Sequence, residues 1–124
     1  MKNLKRTLTI MFGLVMIVTG IIHFIRPQPY FPFIPDFLPK QLINVLTGMI
    51  EVFLGIGVFI PQYRSWATLG ILLLMIAFLP LHMMDVFKEN PAIGSHKLAL
   101  IRLPLQFVLI WWALYIHKKP NATL

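Results

Sequence analysis

The sequence contains no cysteine, which removes disulfides, Cys-ligated zinc, thiolate-bound iron–sulfur clusters and thiol–disulfide relays. Acid is nearly as scarce: four Asp and Glu stand against 11 Lys and Arg, and only 12% of the chain is charged. A formal charge of +7 raises nucleic acid as a partner. The basic residues sit at the ends of long apolar runs rather than along a stripe, and that placement argues against it. No internal repeat, low-complexity tract or linker is visible, and no flavin, nicotinamide or cluster-binding motif is present. The chain by itself therefore cannot draw electrons from a soluble donor, and catalysis in isolation is not expected.

What the sequence has in excess is apolar surface. Hydrophobic residues make up 58% of its 124 positions, more than a soluble domain of this size can hide. Four apolar segments, about 7–25, 42–60, 66–87 and 98–116, each approach the roughly 20 residues a helix needs to cross a hydrocarbon core. The first follows Lys2, Lys5 and Arg6, but its run exceeds the usual signal-peptide core and no small-residue cleavage site follows, so a retained membrane helix is expected. The expected fold is an all-α transmembrane four-helix bundle forming a single domain over 1–124.

Counting basic residues in the connections orients it. Lys2, Lys5, Arg6, Arg64, Lys118 and Lys119 fall on one side with no acid; Arg26, Lys40, Lys88 and Lys97 fall on the other beside Asp36, Asp85 and Glu89. Both termini are expected to be cytoplasmic. Trp66, Trp111, Trp112 and Tyr115 then lie towards the cytoplasmic ends and read as interfacial anchors.

Membrane helices associate through small residues that let backbones approach. Helix 1 offers Thr9, Gly13, Met16, Gly20 and His23; helix 2 offers Asn44, Gly48, Glu51 and Gly55; helix 4 offers Arg102, Gln106, Leu109 and Ala113. In helix 3 the matching stripe is Ala67, Gly70, Leu74 and Ala77, running into Pro80, His82 and Asp85. At 1.5 Å per residue Glu51 lies roughly 13 Å below the outer start of its helix, while His23, His82, Asp85 and Arg102 lie in the outer third of theirs. His23, Glu51, His82, Arg102 and Gln106 are thus candidates for one outward-facing pocket. An ionised carboxylate in hydrocarbon needs a partner, and Arg102 is the expected partner of Glu51. Pro80 and Pro104 are expected to free the carbonyls of Ile76 and Leu100 near the same place.

The connection PYFPFIPDFLP, Pro29 to Pro39, packs four prolines and four aromatic residues into eleven positions. Proline removes a donor and restricts the residue before it, so no regular helix or central strand is expected there. A stiff interfacial connector is the plain reading; the sharper one makes Tyr30, Phe31, Phe33 and Phe37 a lid over the pocket. The stretch from Asp85 to Lys97 reads as a solvated connection.

The blocks GIIHFIRPQPYFPFIPDFLP, GMIEVFLGIGVFIP, FLPLHMMDVF and IRLPLQFVLIWW resemble, in order, those of the DoxX-like family of small bacterial four-helix membrane proteins. The resemblance spans about Gly13 to Ala113 and maps family positions onto His23, Pro27, Glu51, His82, Arg102 and Gln106. It implies a bacterial inner-membrane location more than an activity. Some relatives are named for a thiosulfate:quinone oxidoreductase subunit, and others are associated with membrane oxidative-stress complexes.

Several chemistries compete for these residues. His23 and His82 are the only candidate haem ligands at their level, and nothing in their spacing requires a porphyrin, so haem is disfavoured. Zinc would need a third ligand beyond His82 and Asp85 that has to be assumed; no metal is expected. A quinone fits a lipophilic pocket with proton-transferring groups near the membrane surface. The expected function is an accessory membrane subunit binding a hydrophobic small molecule, with a quinone as one such ligand and a membrane or redox protein, or a second copy, as a partner. The alternative is a structural membrane partner whose buried charges serve only assembly.

Overall fold

The computed structural model describes residues 2–117, and these form four long helices and one short 3₁₀ helix: α1 (Lys2–Ile25), the 3₁₀ helix (Gln28–Phe33), α2 (Lys40–Val58), α3 (Arg64–Val86) and α4 (His96–Ile116). Each long helix is long and apolar enough to cross a membrane. Their outward faces are apolar at mid-helix, with Val18, Phe53, Leu73 and Leu105 all exposed. A soluble monomer rarely leaves apolar surface of that extent uncovered.

The ends of the helices follow local chemistry. Lys and Arg are good helix formers, so α1 extends through Lys5 and Arg6 to begin earlier than its apolar run. Pro61 disfavours helix at Ile60, and α2 accordingly stops at Val58. Ser95 caps α4, its hydroxyl accepting from Leu98 N–H at 3.1 Å. Pro80 and Pro104 lie inside α3 and α4, which both continue past them.

The α1–α2 seam is where the backbones approach most closely. A Cβ on Gly20 would stand 2.7 Å from Gly48 O, and one on Gly55 would stand 2.7 Å from Gly13 O. Only glycine leaves room for that contact, so the antiparallel register of the pair is fixed by the two glycine pairs. On α3 the buried positions near its start are Ala67, Thr68, Ile71, Leu72 and Met75. Leu74 is half-buried and Ala77 exposed, so beyond Ala67 the inward face of α3 is carried by Ile71, Leu72 and Met75 rather than by the expected stripe.

One end of the bundle is closed by a packed core of Phe12, Met16, Val58, Ala67, Ile71, Leu72, Met75, Ala113 and Ile116. Trp112 belongs there: its indole N–H donates to Leu8 O at 3.1 Å and its ring lies 4.6 Å from that of Phe12. It is an inter-helix strut rather than an interfacial anchor, since the indole supplies both apolar bulk and one donor. Trp66 and Trp111 do face outward. Lys5 lies over the Tyr115 ring at 5.6 Å, which brings the first and last helices together at this end. Lys118 and Lys119, used above to orient the chain, lie outside the described residues.

The proline-rich connection is more regular than expected. Gln28–Phe33 winds as a 3₁₀ helix, with Tyr30 N–H donating to Pro27 O and Ile34 N–H to Phe31 O, both at 3.0 Å. Pro29 stands in its first turn, where a missing N–H costs nothing, so the proline content shortens the helix without preventing it.

Candidate ligand-binding site

At the other end the four helices part around a cavity of about 410 Å³. Its wall draws on α1 (His23), α2 (Ile43, Asn44, Thr47, Glu51), α3 (Ala77, Phe78, Leu81, His82) and α4 (Arg102), and the connection after α1 supplies Tyr30, Phe33, Ile34, Pro35 and Leu38. The wall is mostly apolar, with its few polar groups brought together from separate helices. That is the usual constitution of a small-molecule site.

The polar groups begin with a chain of contacts across the α1–α2 seam. Asn44 Nδ2 donates to His23 O at 2.8 Å, which fixes the amide so that Asn44 Oδ1 faces His23 Nδ1 at 2.7 Å. An amide oxygen only accepts, so Nδ1 carries a hydrogen. The other ring nitrogen, Nε2, lies 2.7 Å from Glu51 Oε2, at ion-pair distance. Thr19 Oγ1 completes the chain by donating to Glu51 Oε1 at 2.7 Å. Both His23 and Glu51 are buried. Above them Tyr30 stacks on the His23 ring, with centroids 3.7 Å apart and an 18° interplanar angle. Burial, and secondarily the charge of Glu51, hold the Tyr30 phenol above its ordinary value.

The expected Glu51–Arg102 pair is not formed. Glu51 is taken by His23 and Thr19, because the glycine contacts bring α1 closer to α2 than α4 comes. Arg102 borders the cavity from the far side, and its buried Nη1 has no hydrogen-bond partner among the described residues. Gln106, one turn deeper, is fully buried and does not line the cavity. Its Nε2 donates to Met75 O at 2.7 Å, so it ties α4 to α3. His82 does reach the wall, its ring 5.3 Å from that of Phe33.

The connection covers the cavity with part of its expected set. Tyr30 and Phe33 line it, while Phe31 does not and Phe37 is 85% exposed. The 3₁₀ winding turns Tyr30 and Phe33 to the same side, at the three-residue spacing that eclipses side chains. Ile34, Pro35 and Leu38 complete the cover; sequence reasoning fixed on aromatic residues and passed over them. Two lysines hold the segment down: Lys40 Nζ donates to Phe31 O at 3.2 Å, and Lys88 Nζ, from the connection just past α3, donates to Pro32 O at 3.1 Å. Asp85 is buried and accepts from the N–H groups of Ala92 and Ile93, which organises a connection expected to be merely solvated. Asn44 stands in the expected helix 2 stripe but was not expected in the site, and Thr19, which adjoins the helix 1 stripe, was passed over. Among the described residues no group of three His, Asp or Glu side chains is placed to hold a metal ion.

A family model described as Domain of unknown function (DUF8561) matches residues 12–117, a stretch that includes the whole cavity wall. No curated protein and no solved structure matches the chain.

Proposed function

We propose that this chain, which belongs to the DUF8561 family, is a four-span membrane protein that takes up a hydrophobic small molecule between its helices. The observation that carries the reading is the covered cavity itself: apolar walls from four helices, a lid pinned by Lys40 and Lys88, and a few polar groups gathered around His23, Glu51 and Arg102. A quinone is one molecule of this kind, its ring carbonyls accepting from Arg102 and its tail leaving between helices. The charge pattern supports cytoplasmic termini, with the cavity towards the outer leaflet, and the DoxX-like resemblance supports a bacterial inner membrane. Kinship with DoxX-like proteins, and service as an accessory subunit of a redox or stress-response complex or as a homo-oligomer, belong to the same proposal.

Mass spectrometry of organic extracts from gently purified protein tests it. A stoichiometric lipophile is expected from the parent and not from Ala77→Trp, which fills the cavity. An empty parent, or equal recovery from both, overturns the reading.

One observation favours the structural alternative. Asn44, His23, Glu51 and Thr19 satisfy one another across the α1–α2 seam, as an assembly device would. If Glu51→Gln and Arg102→Met proteins fold and bind every lipophile as the parent does, assembly is the role that stands. A stoichiometric protein partner with no extracted lipophile points the same way.

A further inference from the structure

The four acidic residues of the chain leave one cation in the cavity wall without a counter-ion. Glu51 is engaged by His23 and Thr19. Asp85 accepts from two backbone N–H groups and lies 4.0 Å from Lys88 Nζ. Asp36 pairs with Lys40 at 3.0 Å on the outer surface, and Glu89 is exposed. Arg102 has no ion pair among the described residues, yet its Nη1 is buried beside the cavity with no acceptor. A guanidinium keeps its charge under ordinary conditions, so it cannot escape the cost of burial by becoming neutral. A charge in such a place is normally paired.

We infer that the cavity takes a single-chain amphiphile with a carboxylate head, and that the carboxylate is the missing counter-ion of Arg102. The inference rests on the ligand-binding reading above and names the class of ligand. The head carries one charge because Arg102 is the one fixed cation of the wall, and Glu51 is already engaged by His23 and Thr19. A carboxylate is an acceptor-only planar group whose two oxygens match the guanidinium fork. The chain is single because a cavity of about 410 Å³ has small-molecule dimensions and does not enclose a two-chain phospholipid. Phe78, Leu81 and Ile43 give the chain an apolar wall beside the head.

The test uses the full chain in a neutral detergent, with calorimetric titration of oleate, oleyl alcohol, a short-tailed ubiquinone analogue and a single-chain lysophosphatidate. Oleate is expected to bind about ten- to a hundred-fold more tightly than oleyl alcohol, the range of one charge-assisted hydrogen-bonded pair. Arg102→Met should erase that preference while leaving the thermal midpoint unchanged or raised, because it removes an unpaired charge; Arg102→Gln gives the same binding readout should the methionine variant fail to fold. Oleate and alcohol binding alike, or a preference that survives both variants, overturns the inference. Tight binding of the quinone or the alcohol without a carboxylate preference overturns it and leaves the ligand-binding reading standing. A stronger preference for the lysophosphatidate assigns a phosphate head and overturns the carboxylate. Binding of none of the four probes removes both.

Discussion

At one end of the bundle Phe12, Met16, Ile71 and Ile116 meet with almost no exposure, while at the other the same four helices stand apart around a cavity of about 410 Å³. The closed end is built mainly from dispersion contacts between apolar side chains, with the Trp112 indole N–H met by Leu8 O. The open end is built from polar groups that satisfy one another in part and leave Arg102 over. Between the two, the glycine pairs of α1 and α2 set a separation that serves both ends. The hollow is thus not a failure of packing in general. The chain packs densely where apolar side chains meet, and holds its helices apart where polar side chains converge.

The largest expected effect lies in the seam that joins the two ends. In Gly48→Val the new Cβ would lie 2.8 Å from His23 Cβ and 2.9 Å from Gly20 O. Backbone cannot yield as a flexible side chain does, so a loss of about 3 kcal/mol is expected, towards the upper part of the overpacking range. Thermal unfolding in detergent measures it. A Gly48→Val protein as stable as the parent would mean that the two helices are not held at backbone contact.

Truncations at the two ends should then diverge. Ile71 is fully buried in the closed core, and Ile71→Ala is expected to cost about 2 kcal/mol through lost packing and the cavity left behind. Leu81 borders space that already exists, so Leu81→Ala should cost less than about 1 kcal/mol. Equal losses would erase the distinction between a packed end and a hollow one. Glu51→Gln comes next in size. The amide still accepts from Thr19 and donates to a neutral His23, so about 1 kcal/mol is expected, the worth of one altered hydrogen bond. A loss several times larger, with ligand binding intact, favours the assembly role of the pair.

How far these features were legible depended on what set them. The α1–α2 seam was visible because a glycine has no substitute at backbone contact: Gly13, Gly20, Gly48 and Gly55 marked the facing stripes by spacing alone. The convergence of His23, Glu51, His82 and Arg102 on one end followed from depth along the helices, which sequence position supplies directly. Depth says nothing about angle. Glu51 and Arg102 were placed at a similar end but not at a similar distance, and the nearer helix took the carboxylate. Gln106 shared the stripe of Arg102 yet sits a turn deeper, where α3 and α4 have already closed. The lid was legible as a stiff apolar segment, whereas its coverage was set by 3₁₀ winding and by Lys88, 56 positions from the carbonyl it binds. No local pattern encodes that reach.

The smallest effect concerns the junction of lid and cavity. Tyr30 lies on His23, and its phenol is held above the ordinary value by burial first and by Glu51 second. The folded state therefore favours the neutral phenol. That contribution to stability is fully present below the ordinary phenol value near 10 and is lost as the pH rises through the higher folded value. An ultraviolet titration should show one of the three tyrosines ionising late, and Tyr30→Phe should remove that phase. Phenylalanine keeps the stack on His23, so the cover should remain and ligand affinity should change little. If the late phase persists in Tyr30→Phe, or never appears in the parent, the phenol is open to water and the lid does not seal the end where Glu51 lies.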